Sequence, residues 1–248
     1  MRNTDIEWEK WGRTNPYFGV SSHVQFLNKN MNSQTREEFF QAGQAVIDEI
    51  FAKLPERLGV ERPPQTAADF GCGVGRLTIP LARRCKRTYG IDVSESMLLE
   101  AEKNYQEQGL TNIEFIKGDD QLSRLGSGLD LAISFYVFQH IPVKRGLLLM
   151  EGLARRLAAG GVIHFPAVDS AGRLTKMVNW AQTNIPFVHE LVNVIKGRPW
   201  SWPQMQANVY PLNSIIGMLA RGGCSKLYIE VIKYSHRFSS VVLYFRKE

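Results

Sequence analysis

The chain has 248 residues, 44% hydrophobic and 22% charged, with a formal net charge of +6. That length holds one α/β domain with an attached cap or insertion, at the composition of an ordinary globular protein. No run approaches the roughly 20 uninterrupted apolar residues of a membrane span, and three scattered cysteines, Cys72, Cys85 and Cys224, exclude a disulfide framework or a zinc cluster.

The opening Met1-Arg-Asn-Thr-Asp-Ile-Glu7 has no apolar signal core, so a cytoplasmic location is expected. Basic residues are not interleaved with aromatics anywhere in a run. The positive charge therefore reads as a solvated surface, with neither a nucleic-acid nor a membrane partner expected. Residues 1–62 are expected to form an aromatic and helical cap. Its aromatics, among them Trp8, Trp11, Tyr17, Phe18 and Phe26, either close over the core or, through Trp11 and Tyr17, cover a ligand; both readings stay open. Thr35-Arg-Glu-Glu38 reads as a capping box. It opens a helix with an apolar stripe through Phe39, Val46, Ile47, Ile50 and Leu54, ended by Pro55.

Next comes Ala67-Ala-Asp-Phe-Gly-Cys-Gly-Val-Gly-Arg-Leu-Thr78. It reads as a buried strand, a glycine turn and a helix start, with Pro80 kinking that helix. Gly71, Gly73 and Gly75 let the backbone approach a ligand closely. Asp69 stands beside that turn. A pyrophosphate favours bare amides at a helix N-terminus, which a carboxylate opposes, and the spacing is G-x-G-x-G rather than G-x-G-x-x-G. The turn therefore suits a ligand with positive charge. Asp92 ends the following apolar stretch, Thr88-Tyr-Gly-Ile-Asp92, where an acid of a doubly wound fold holds ribose hydroxyls. Ribose with a cationic tail points to S-adenosylmethionine (SAM).

Ser94 is expected to cap a helix carrying Met97, which lies against an adenine face or simply packs. Asn112-Ile-Glu-Phe-Ile-Lys-Gly-Asp-Asp120 is the third strand and its end. Residues 129–142 are the fourth strand and the turn after it. Ser134, Phe135 and Tyr136 there face the ligand's far end, with Gln139 and His140 beside the reaction partner. Residues 143–159 read as a helix stopped by Gly160-Gly161, and 162–167 as the fifth strand. Residues 169–210 hold one long helix and a Gly/Pro/Trp loop; Trp200, Trp202 and Tyr210 are expected to wall a pocket or to pack as a surface insertion. Asn213 caps a further helix, and 227–233 and 240–245 are two final strands. His164 reads as structural, while His189 and His236 have no clear assignment. Histidine–carboxylate spacing suggests no required metal.

Asp69-Phe-Gly-Cys-Gly-Val-Gly75, Gly90-Ile-Asp92 and Gly118-Asp119, in that order and each at a predicted strand end, resemble the class I SAM-dependent methyltransferase family over about residues 67–168. The resemblance implies one domain over 1–248. Its sheet would be seven-stranded and mostly parallel, with helices on both faces and an antiparallel last strand. An N-terminal helical cap and a helical insertion after strand 5, at 169–210, would complete it. It implies SAM contacts from Asp69, Gly71, Cys72 and Gly73 at the turn, and from Asp92, Val93 and Met97 after the second strand. Asp119, with Asp120 next in line, would take the adenine amino group; Ser134 and Phe135 would meet the methionine end, and Tyr17 would close the lid. His140 is the candidate general base. The expected activity is methyl transfer to a small molecule, with oxygen slightly favoured over nitrogen. Arg173, Lys176, Lys196 and Arg198 admit an anionic acceptor. A protein or RNA methyltransferase and a non-catalytic SAM-binding protein are the rivals, and a nicotinamide dehydrogenase is the weakest.

Overall fold

The computed structural model describes residues 3–233 and 238–248; His236 lies outside the described residues. Seven strands form one sheet: β1 (Thr66–Phe70), β2 (Arg87–Asp92), β3 (Ile113–Lys117), β4 (Leu129–Ile133), β5 (Leu157–Ala171), β6 (Cys224–Lys233) and β7 (Phe238–Lys247). Their order is β3-β2-β1-β4-β5-β7-β6. The first five pair in parallel, and β7 runs antiparallel to both β5 and β6. The chain crosses from one half of the sheet to the other between β1 and β4. The carboxyl ends of those two strands open the crevice in which ligands of such sheets bind.

Consecutive residues of β1 point to opposite faces, as the two-residue period of a strand requires. Ala68 and Phe70 enter a core with Leu149, Leu153 and Leu219. Those leucines come from α6 (Val143–Arg156) and α9 (Leu212–Arg221). Ala67 faces the other way, into a core with Ile47, Ile50, Leu54 and Leu58 from α3 (Ser33–Leu58). A third cluster gathers the N-terminal aromatics Trp11, Tyr17, Phe18, Phe26 and Phe39 around Val74 and Met97.

Several boundaries differ from expectation, each for a physical reason. The capping box of α3 starts at Asn32, whose side chain accepts from the Thr35 amide at 2.9 Å while Thr35 caps back. Pro55 sits inside the last turn and does not end the helix, because Leu58 is fully buried and its packing outweighs one missing backbone donor. Gly160-Gly161 does not stop α6, which ends at Arg156. Both glycines lie within β5, where the register against β4 shifts; a Cβ on Gly161 would stand 2.5 Å from the Leu129 carbonyl oxygen. The helix with Pro80 is a single short element, α4 (Thr78–Ala82). The expected single helix in 169–210 is two, α7 (Arg173–Asn184) and α8 (Val188–Ile195), broken at Pro186. Asn213 is not a cap: α9 begins after Pro211, without a side-chain cap.

Candidate active site

A cavity of about 1330 Å³, its open mouth included, lies over the carboxyl ends of β1, β2 and β4. Its floor is the glycine turn. Gly71 and Gly73 hold φ of +77° and +52°, a region that L side chains rarely enter. The surroundings also exclude a side chain, since a Cβ on Gly73 would stand 2.4 Å from Val20 Cγ2.

Asp92 closes one side of the turn. Its Oδ2 accepts from the Gly73 amide and its Oδ1 from the Ser94 amide, both at 2.9 Å. Burial lifts its pKa to about 6 against those hydrogen bonds. Burial also raises Asp69 to about 7, with Asp92 adding to the effect and the Thr78 hydroxyl and Arg76 opposing it. Asp69 is buried under the turn and bonded to the Thr78 hydroxyl at 2.7 Å; it is not among the lining residues. Arg76 does line the cavity. Its guanidinium lies 5.6 Å from the centroids of both Phe39 and Phe135, its buried Nε has no hydrogen-bond partner, and burial lowers its pKa. Two carboxylates and one guanidinium thus surround a bare turn with their charges incompletely compensated. A ligand bearing both a cation and a carboxylate matches that set.

Val93, Met97, Asp119, Asp120 and Phe135 line the cavity with Gly71, Gly73 and Asp92. Met97 rests on α5 (Glu95–Gln106), whose N-cap Ser94 accepts from the Met97 amide at 3.1 Å. Asp119 already organises its own turn, accepting from the Gln121 and Ser123 amides at 2.9 and 3.0 Å and from the Ser123 hydroxyl. Those bonds, the Ser123 hydroxyl first, hold its pKa below the ordinary range. Asp120 pairs with Arg145 at 2.6 Å, and Arg145 also grips both oxygens of Asp5. That network ties α6 to α1 (Thr4–Thr14) across the cavity rim.

Cys72, Ser134 and Tyr17 are buried and do not line the cavity. The Tyr17 hydroxyl lies 2.9 Å from Glu100 and from Asn104, anchoring the cap instead of covering a ligand. Trp11 likewise packs into the aromatic cluster. The cap meets the cavity through Thr4, Asp5, Trp8, Gly19, Val20 and His23. Sequence periodicity did not separate Trp8 from Trp11, three residues away on the same helix. Arg76 was also missed. Its signal was a charged residue directly after the last glycine, where the chain enters the core.

His140 lines the same cavity, 5.1 Å from the Trp8 ring. Its Nδ1 is 2.6 Å from the Gln206 carbonyl oxygen. A carbonyl only accepts, so Nδ1 carries the proton and Nε2 keeps its lone pair. Burial lowers the pKa to about 4 against that hydrogen bond, so the ring is neutral at pH 7. Tyr136, also on the wall, holds φ of +58°, a strained conformation of the kind found at functional sites. Among the described residues, none of 169–210 lines the cavity. Tyr210 is buried with its hydroxyl on the Ile141 carbonyl at 2.9 Å, and Trp202 packs edge-on to Trp11 at 5.1 Å. The insertion meets His140 through the Gln206 carbonyl.

Residues 67–161 match the methyltransferase domain family. The magnesium-protoporphyrin O-methyltransferase of Synechocystis sp. is 35% identical over 111 residues, 45% of this chain and 47% of that protein. The 23S rRNA (uracil(1939)-C(5))-methyltransferase RlmD of Alcanivorax borkumensis is 35% identical over 103 residues, 41% of this chain and 23% of that one. The chain therefore spans less than half of the length of the curated relatives it matches. Among solved structures, magnesium protoporphyrin IX methyltransferase (ChlM) from Synechocystis PCC 6803 with bound SAH superposes with a TM-score of 0.64 at 20% identity, covering 99% of this chain and 100% of that one. N-methyltransferase NodS from Bradyrhizobium japonicum WM9 with bound SAH gives 0.58 at 16% identity, covering 99% of each chain. The matched segment thus lies in a sheet with the strand order of the class I S-adenosylmethionine-dependent methyltransferase fold that these solved structures share.

Proposed function

We propose that the protein transfers a methyl group from SAM to a small-molecule acceptor, with a hydroxyl or carboxyl oxygen favoured over nitrogen. The observation that carries this reading is one cavity lined both by the glycine turn with Asp92 and Arg76 and by a neutral, oriented His140. SAM supplies an electrophilic methyl on a sulfonium, whose carbon–sulfur bond breaks to leave a neutral thioether as the new bond to the acceptor forms. Asp92 would accept the ribose hydroxyls, Met97 and Val93 would flank the base, and Arg76 would take the methionine carboxylate. Ionised Asp69 and Asp92 would favour the positive end of the ligand. His140 Nε2 would take the proton of a hydroxyl acceptor as the methyl arrives; a carboxylate acceptor needs no base. Holding both reactants in line accounts for most of the rate, since orientation alone is worth about 7–11 kcal/mol.

The small-molecule reading is supported by the cap, which brings Val20 over Gly73 and Trp8 against His140 and so narrows the approach to the turn. The O-methyltransferase relative from Synechocystis supports oxygen. The RlmD relatives support an RNA acceptor as the second reading. Calorimetric titration with SAM, followed by methyl transfer from labelled SAM to a panel of hydroxylated, carboxylated and RNA acceptors, tests both. Tight SAM binding with transfer only to RNA would remove the small-molecule reading.

A further inference from the structure

The insertion after β5 has its polarity turned inside out. In α8 the residues packed inward are polar, with His189 and Asn193 5% and 1% exposed, while Leu191, Val194 and Ile195 are 54%, 55% and 83% exposed. His189 Nε2 and Asn193 Nδ2 both reach the Trp202 carbonyl, at 2.8 and 3.0 Å. Its partner α7 buries no residue fully. On α7, Asn179 Oδ1 accepts from the Ala207 amide and Thr183 Oγ1 from the Gln204 side chain, each at 3.0 Å, while Leu174, Met177 and Trp180 are exposed. A helix on a water-facing surface normally shows the reverse arrangement. Ten of the fifteen large apolar side chains exposed among the described residues fall between 174 and 200. Residues 173–200 carry four basic residues, Arg173, Lys176, Lys196 and Arg198, against one acid, Glu190.

We propose that the outer face of α7 and α8 seats on the surface of an anionic lipid bilayer. An apolar helical face with exposed tryptophan and basic flanks is the pattern that lies in the headgroup region. Among the described residues no helix is long and apolar enough to cross a membrane, so the contact is peripheral. A second copy fits the face less well. A twofold contact sets each patch against itself, bringing Arg173, Lys176 and Arg198 toward their own counterparts, whereas an anionic surface compensates them. The inference departs from the sequence reading, which expects no membrane partner: period and composition alone do not say which face of an amphipathic helix is turned outward. It does not rest on methyl transfer, since lipid binding can be read without SAM.

The test is flotation of the full chain with vesicles of seven parts phosphatidylcholine to three parts phosphatidylglycerol, and with phosphatidylcholine alone. The wild type is expected to float with the anionic vesicles and far less with the neutral ones, and its tryptophan emission to shift to the blue. The double variant Leu191→Glu, Ile195→Glu is expected to lose binding on the order of tenfold or more. Lys176→Gln is expected to lose roughly fivefold on anionic vesicles only. Both variants are expected to keep the wild-type melting temperature and SAM affinity, because every substituted side chain faces outward. Wild-type protein that remains at the bottom of the gradient would overturn the proposal, as would variants that bind as the wild type does. Sedimentation showing a dimer that the double variant dissociates would assign the face to a second copy instead.

Discussion

Replacing Asp92 by Asn probes the charge logic of the cavity with the least disturbance of its shape. Asp92 accepts from Gly73 and Ser94 in the structure; Asn retains one carbonyl oxygen and turns an NH₂ toward the other amide. Hydrogen bonds to a charged group are worth about 1.5–3 kcal/mol, so SAM affinity should fall about 13- to 160-fold. The pH dependence is a sharper signature. Asp92 and Asp69 are raised to about 6 and about 7, so both hold a share of protons in the free protein near neutrality. A cationic ligand favours their ionised forms, so binding expels protons and affinity should rise as pH increases from about 5 to about 8. In Asp92→Asn the rise should shrink to the part set by Asp69. Calorimetry in two buffers of different ionisation enthalpy measures both the affinity and the protons released. Unchanged affinity in a variant that still melts cooperatively would refute the reasoning, as would wild-type affinity that falls with rising pH.

The same two carboxylates make the free protein lose stability as pH rises. Their folded pKa values lie above the unfolded value, so their contribution is complete below about pH 4 and is lost as pH rises through about 6 to 7; thermal melts across that window should show it, and SAM should reduce the loss. Glu9 acts in the opposite direction. Burial would raise its pKa, but hydrogen bonds from Ser96 and Ser94 hold it at about 2, so its contribution is present above about pH 4.5 and is lost as pH falls toward 2. Glu9→Ala removes the acceptor for the Ser94 hydroxyl at 2.8 Å and the Ser96 hydroxyl at 2.7 Å and should cost about 1–3 kcal/mol in denaturant unfolding. His140→Ala should keep SAM affinity within about twofold and lose turnover on a hydroxyl acceptor by roughly 10²–10⁴; turnover near wild type would remove the base. Gly73→Ala should lose stability by about 1–3 kcal/mol from the positive φ alone. Val20→Ala in the same chain should restore only the part due to crowding, which melts of the single and double variants would separate.

The legible part of the molecule was the part where local chemistry and global position agree. Asp69, the glycines and Asp92 each combine a special backbone demand with a strand end, and the cavity forms over that turn. Misreadings arose where packing overrode a local signal. Pro55 and the Gly160-Gly161 pair look like helix stops, yet buried Leu58 carries the first helix onward and sheet pairing takes up the second pair. Arg76 was passed over because a charge beside a glycine turn reads as exposed, when here it stacks between Phe39 and Phe135. The insertion was the least legible, since its inward polar face and outward apolar face give the same periodicity as an ordinary amphipathic helix.

The most direct test of the account is a crystal structure with S-adenosylhomocysteine bound. The expected result is ribose hydroxyls on Asp92, the homocysteine carboxylate on Arg76, and the sulfur facing the space beside His140. A ligand bound elsewhere, or one whose carboxylate ignores Arg76 while its ribose points away from Asp92, would contradict the claim that the acid–glycine turn is a SAM site.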